Sequence, residues 1–396
     1  MIGYYQIKSP LSHATEQNAA AFIGRISESL GEELCRVGAS EYADGDFSLL
    51  YVASGGSEGY FPEVFERLKG KPCYILTSGE SNSLAASLEI LSYLKKRGGS
   101  GTVLHGDDVT VAQRIRALSA AHRAKSSLYG KKLGLIGEPS SWLIASDYDE
   151  KAVERKLGLG LLRISMDELL SEIAAGGYEE NAYTEKLTGA VFDRDELRRA
   201  LDIYGAFYRI VNRYGLCGLS VRCFDLLDTV RSTGCLGLSI LNSLGVYGGC
   251  EGDMPSLLSM AILGEVTGKD TFMCNPSRID ASARRATFAH CTVPVTMTDG
   301  FSLDTHFESG IGVAVKGRFD GGDCTLFKCS GDLSRYYASE GVILDEPYSD
   351  ALCRTQITVG ADGLSYFLND PIGNHHVICR GHNKDALDAF FGLLDS

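Results

Sequence analysis

The sequence predicts an α/β protein: two N-terminal parallel-sheet α/β domains followed by a C-terminal, mostly antiparallel β-barrel domain. Three observations lead there. Over roughly the first 125 residues, short apolar runs alternate with longer amphipathic ones; the alternation resumes in the middle of the chain. After His290 it gives way to short β-branched or aromatic segments joined by Gly, Asp and Pro turns. Strand, helix, strand at that spacing requires crossovers and hence parallel pairing, whereas closely spaced strands can pair antiparallel.

In chain order, FSLLYVAS (47–54), PCYILTS (72–78) and GTVLHGD (101–107) read as strands separated by helices such as SLAASLEILSYLKKRG. A second cycle starts at KKLGLIGEPSSWLIAS and continues through GLGLLRIS, the helical DRDELRRALDIYGAFYRIVNRYG and the strand-like GLSVRCFD, with GVYGGCEGD and TFMCNPSRID as its last turns. The β region is read from TVPVTM, GIGVAVKGRF, CTLFKCS, GVILDEP, CRTQITV and HHVICRG, and closes on a short helix, KDALDAFFGLLD. The expected domains are therefore 1–125, 126–290 and 291–396.

Composition narrows the function. With 38 Lys+Arg against 51 Asp+Glu the net charge is −13, which disfavours nucleic acid as a partner. No apolar stretch approaches the roughly 18 to 20 residues of a membrane helix, and the start MIGYYQIKSP lacks the pattern of a secretory leader, so a cytoplasmic protein is expected. Twelve cysteines scattered from Cys35 to Cys379, with no CxxC pair, read as free thiols that pack as small hydrophobes.

Candidate chemistry lies where carboxylates and histidines meet strand ends. In GGCEGD, Glu251 and Asp253 follow a short apolar run and precede the helix MPSLLSMAILGEV. A carboxylate at the C-terminal end of an α/β strand faces the usual ligand crevice. Asp253, with Pro255 in the following first turn, reads as an N-cap; Glu251 caps nothing obvious. In GNHHVICRGH, alternation allows at most one of His375 and His376 to reach a given site. His290 in FAHCTVPV and His306 in DTHFESG are further candidates, and Glu308 stands beside His306. Arg222 in VRCFD and Arg278 in PSRID are placed at strand ends, where a guanidinium can bind a ligand's hydroxyls or an anionic substituent. HExxH, Walker and GxSxG motifs are absent.

Read together, GLSVRCFD, TGCLGLSILNSLGVYGGCEGDMPSLLSMAILGEVTGKDTFMCNPSRID, FAHCTVPVTM, THFESG and GNHHVICRGH resemble the L-fucose isomerase and L-arabinose isomerase superfamily, in its shorter, fucose-isomerase-like branch. The resemblance implies N-terminal α/β domains before a C-terminal β-barrel. It implies an intramolecular oxidoreductase that interconverts aldoses and ketoses on a divalent cation, usually manganese, held by two acidic side chains and a histidine. By that correspondence Glu251 is an acidic ligand and catalytic carboxylate, His375 the ligand histidine, and His290 a further histidine beside the reaction. The second acidic ligand is expected two residues after Phe272, where this chain has Cys274. Asn275 as a neutral oxygen ligand, or Asp280 reaching in as a catalytic carboxylate, are the substitutes; Cys274 as a ligand would favour zinc. The resemblance also implies a homo-oligomer, trimeric or hexameric, whose loop Gly55 to Glu58 covers a neighbour's crevice. The competing readings are a carbohydrate-binding or regulatory protein on the same scaffold, or an epimerase or lyase.

Overall fold

The computed structural model describes residues 2–10, 12, 16–345 and 348–394; the last two positions of GVILDEP and the last of KDALDAFFGLLD lie outside them. The strands, in chain order, are β1 Ile2–Ile7, β2 Leu34–Arg36, β3 Ser48–Val52, β4 Cys73–Leu76, β5 Gly101–Leu104, β6 Lys132–Ile136, β7 Gly160–Ile164, β8 Gly218–Val221, β9 Tyr247–Cys250, β10 Phe272–Asp280, β11 Arg285–His290, β12 Gly300–Asp304, β13 Ala314–Arg318, β14 Gly322–Cys329, β15 Tyr336–Leu344, β16 Thr355–Ala361 and β17 His376–Arg380. The chain divides into two compact units, residues 1–126 with 385–396, and residues 127–384.

The first unit is built on a parallel sheet of order β2-β1-β3-β4-β5. Its inner strands read as unbroken apolar runs because helices cover both faces: Leu49, Leu50, Val52, Ile75 and Leu76 are all sealed from solvent. β1 and β2 were not legible as strands, since IGYYQI mixes polar and apolar positions and LCR is only three residues long. The closing helix Lys384–Leu394 belongs to this unit rather than to the barrel, burying Leu387, Phe390, Phe391 and Leu393 while Lys125 Nζ donates to the Leu393 carbonyl at 3.2 Å.

A titration is built into this unit. His122 is wedged against Phe47 and bonded through Nε2 to the Tyr74 hydroxyl at 2.7 Å. Burial, followed by the charge of Lys125, pulls its pKa from 6.5 down to about 4. An unfolded chain therefore takes up this proton first, and the unit loses stability as pH falls from about 6.5 towards 4. Urea midpoints measured across that window should decline more steeply for the native protein than for His122→Gln; equal slopes would contradict the assignment.

The second unit opens with a parallel sheet of order β7-β6-β8-β9. Helix Arg194–Tyr214 starts on Asp193, whose carboxylate accepts from the amides of Asp195 and Glu196, and stops at Gly215, which takes the left-handed φ of 61°. Helix Met254–Thr267 is apolar all round because it packs on β8 and β9 as well as on β14 and β17. The barrel closes in the order β10-β11-β16-β15-β14-β17, with every pairing antiparallel. It begins at Phe272, so TFMCNPSRID and the segment ending in His290 are barrel strands and not the last turns of the α/β region. TVPVTM is no strand: Pro294 offers no N–H to a ladder, and Val295–Met297 coils into a single 3-10 turn. The hairpin β12–β13 stands apart from the barrel ladder.

All twelve cysteines are free, nine of them buried, as small apolar side chains would be. No described helix is long and apolar enough to cross a membrane.

Candidate metal centre

Glu251 follows the last residue of β9 and takes a left-handed φ of 62°, with Gly252 next at 69°. A Cβ on Gly252 would lie 2.8 Å from the Pro139 Cα, and the Glu251 carbonyl accepts from the Ser140 amide at 2.9 Å. The chain thus reverses sharply against the segment after β6, holding a non-glycine residue in a conformation that costs on the order of 1 kcal/mol or more. The strain turns the Glu251 carboxylate towards the barrel.

Two barrel strands deliver imidazoles to it. His290 ends β11, and His375 immediately precedes β17. Ligand atoms of Glu251, His290 and His375 all lie within 4.8 Å of one another, and all three residues are buried. The His375 Nε2 stands 3.5 Å from Glu251 Oε1, and the two rings meet edge to face with centroids 5.6 Å apart. His376 points the other way, as strand alternation requires, into Phe367 and the Tyr366 hydroxyl at 3.0 Å.

Each member is fixed from behind. The His375 Nδ1–H donates to Asp253 Oδ2 at 2.8 Å, which leaves Nε2 facing the cluster with no hydrogen-bond partner despite complete burial. His290 Nδ1 is 3.1 Å from the Thr292 hydroxyl. The Trp142 indole N–H donates to Glu251 Oε2 at 2.6 Å. Asp253 also caps helix Met254–Thr267 through Oδ1, accepting from the Ser256 amide at 2.8 Å, and lies 3.7 Å from the ammonium of Lys328. That lysine is itself 1% exposed and donates to the Ser256 hydroxyl at 2.6 Å. The N-cap reading of Asp253 was right but incomplete, since its second oxygen orients His375.

Electrostatics agree with the geometry. Burial opposes charge on His375, yet the hydrogen bond to Asp253 and the nearby carboxylates of Asp253 and Glu251 outweigh it and raise its pKa to about 9. Burial would lift Glu251, but His375 and the Trp142 N–H bring it below the ordinary value. Burial and the charge of His375 lower His290 to about 4, keeping it a neutral donor. The pocket therefore favours positive charge at the point the three donors share.

These residues fit a divalent metal ion. A buried, unpartnered imidazole nitrogen aimed at a carboxylate and a second imidazole is a ligand awaiting an acceptor, and its other nitrogen is held by a carboxylate, the usual support for a metal-bound histidine. Two imidazoles and one carboxylate suit a first-row transition ion better than magnesium or calcium.

The other expected site residues fall elsewhere. Asp280 is exposed at the turn after β10, where Ser282 Oγ and the Ala283 amide bond its carboxylate. β10 runs on past Pro276 with only a bulge and carries Asp280 to the end opposite His290. Asn275 pairs with Ala289 and accepts from Asn374 at 3.3 Å; it adjoins the cluster without joining the three donors. Cys274 is buried against the His376 carbonyl, with burial pushing its thiol well above the ordinary value. Arg222 does stand at the end of β8 but pairs with Asp225 at 3.0 Å. Arg278 binds the Ser349 hydroxyl on the outer wall of the barrel. His306 is buried edge-on against Phe224, which meets Trp142 in the same way, and bonds Ser309 at 3.0 Å; Glu308 next to it is exposed.

Trp142 and Lys328 were missed. Trp142 is the chain's single tryptophan, at the exit of β6, and that was its signal. Lys328 shares a strand face with Cys324 and Leu326, both fully buried, so a lysine in an apolar register was the clue.

No family model matches this chain. Among curated proteins it is similar to the sulfoquinovose isomerase of Clostridium sp. (strain MSTE9), 26% identical over 193 residues that cover 47% of this chain and 43% of that protein. It is also similar to the sulfoquinovose isomerases of Priestia aryabhattai and Priestia megaterium (strain ATCC 12872 / QMB1551), each 21% identical over 277 residues, 66% of this chain and 62% of theirs. The aligned part thus spans between 43% and 62% of the length of these relatives, and the likeness is to sugar isomerases.

Proposed function

We propose that this protein is a metal-dependent aldose–ketose isomerase acting on a small carbohydrate, with Glu251, His290 and His375 holding the cation, manganese or zinc. The observation that carries this reading is the convergence of those three donors on one point, with the His375 Nε2 buried and unpartnered. Similarity to proteins named sulfoquinovose isomerase supports the reaction class.

A divalent cation, when bound, supplies charge that stabilises the sugar's O1 and O2 oxygens as the C2 proton leaves. The chain supplies the rest. Glu251, braced by Trp142 at one oxygen, presents the other to the cluster and is the group that accepts the C2 proton and returns it to C1. One carboxylate serving both carbons answers the absence of an acidic residue at Cys274. Asp253 keeps His375 in a single tautomer, and neutral His290 completes the donor set. His306 and Arg222, whose guanidinium also pairs with Asp225, are the groups proposed to meet the sugar's hydroxyls. A homo-oligomer remains part of this proposal.

The test is NMR analysis of products formed in deuterated water, with sulfoquinovose as the first aldose assayed. Where the proton held by Glu251 exchanges with solvent before its return, isomerisation gives a ketose with deuterium at C1 and the reverse reaction an aldose with deuterium at C2; direct return is read as conversion of a C2-deuterated aldose to a C1-deuterated ketose in ordinary water. Label at another carbon indicates an epimerase or lyase; sugar-dependent thermal stabilisation without turnover indicates a binder. Trp142→Phe keeps the contact with Phe224 and loses only the N–H to Glu251, so turnover should fall by about 10-fold, the worth of one hydrogen bond to a charged group. Unchanged turnover in that variant would remove Trp142 from the mechanism.

A further inference from the structure

We propose that the cleft between the hairpin β12–β13 and the outer wall of the barrel is a second ligand site, separate from the metal centre, for an aromatic ring bearing a phosphate or sulfonate. The cleft encloses about 780 Å³, within the range of small-molecule sites and far larger than an inorganic anion needs. Glu251, His290 and His375 are not among its lining residues. Alternation separates the two sites along one strand: on β11, Phe288 and His290 point one way, while Thr287 points the other and meets Thr358 of β16 across the cleft floor at 2.9 Å between hydroxyls. The β10 bulge between Pro276 and Arg278 sets Arg278 opposite Thr287 and so at this cleft.

The charge of the lining runs against that of the chain. The protein is at −13, yet among the described residues Arg278, Lys316 and Arg318 line the cleft against a single carboxylate, Asp345. Arg318 is committed to Asp320 and the Asp299 carbonyl. Arg278 and Lys316 are not: Arg278 spends one N–H on the Ser349 hydroxyl, and the Lys316 ammonium sits 3.4 Å from the Tyr348 ring centroid. Among the described residues neither has a carboxylate at ion-pair distance. Two such cations in a walled cleft concentrate anions there. Phe301, Phe319 and Tyr348 give the walls their flat surfaces, which argues for a ring on the anion rather than a bare phosphate. A ring replacing the Tyr348 contact beside Lys316 retains the cation–π attraction while its anionic group reaches Arg278.

The test is isothermal titration of the full chain with AMP, 1-naphthyl phosphate and 1-naphthalenesulfonate, using adenosine and ribose 5-phosphate as controls that carry the ring alone or the charge alone. At least one ring-bearing anion should bind with one-to-one stoichiometry in the micromolar range, with adenosine and ribose 5-phosphate about 10-fold or more weaker. Lys316→Gln and Arg278→Gln should each weaken binding by about 10-fold, the loss of one charge-assisted contact, while preserving the melting temperature. Glu251→Gln should leave it unchanged, which separates this site from the isomerase reading. Absence of saturable binding by all three anions, or equal binding by the native protein and Lys316→Gln, would overturn the proposal.

Discussion

Glu251→Gln should lower turnover in the proposed isomerisation by about 10³-fold or more while leaving the fold intact, because it removes both the proposed proton carrier and the only anionic donor of the three-residue cluster. The substitution is close to isosteric, and the Trp142 N–H can still donate to an amide oxygen, so the strained turn at φ 62° keeps its support. The loss should appear in kcat and in metal affinity together, measured by steady-state kinetics at saturating cation and by titration of the cation into chelator-treated protein. A variant that keeps near-native turnover would exclude Glu251 as the group that moves the proton.

Asp253→Asn is expected to have the largest effect on stability. Asparagine is as good an N-cap as aspartate, so helix Met254–Thr267 keeps its start and the substitution isolates the charge. What is lost is, among the described residues, the one carboxylate at ion-pair distance from Lys328, which is 1% exposed; an uncompensated buried cation costs about 3 to 5 kcal/mol. His375 also loses the carboxylate that fixes its tautomer, which should weaken metal binding or turnover by about 10- to 100-fold. The two consequences separate in the double variant Asp253→Asn with Lys328→Met, which removes the stranded charge. Denaturant midpoints should recover in the double variant while activity stays low. If the midpoint of Asp253→Asn equals that of the native protein, Lys328 is not balanced by Asp253.

The architecture was legible wherever local pattern decides structure. Helix Arg194–Tyr214 announced both ends in Asp193 and Gly215, and the buried strands β3 and β4 announced themselves as unbroken apolar runs. The allegiance of TFMCNPSRID was less legible: a strand belonging to a barrel or to an α/β sheet carries the same residues, and only its partners β11 and β17 settle the matter. At the site, Glu251 stood out as a carboxylate beyond a strand end with nothing to cap, and His375 as one of two histidines on opposite faces. The pairing of Asp253 with His375 spans 122 residues, that of Trp142 with Glu251 spans 109, and that of Lys328 with Ser256 spans 72. No local signal encodes such distances. Asp280 is the converse case: reaching the cluster would need a bend at NPSRID, but a bulge absorbs the proline and the strand runs on, turning Arg278 to the outer cleft.

Metal content, measured by inductively coupled plasma mass spectrometry on purified protein after chelator treatment and reloading with manganese or zinc, tests the three-donor centre most directly. One divalent ion per chain is expected for the native protein, and a small fraction of that for Glu251→Gln, His290→Asn and His375→Asn, each still folded by circular dichroism. No stoichiometric ion in the native protein, or the same load in His375→Asn, would contradict it.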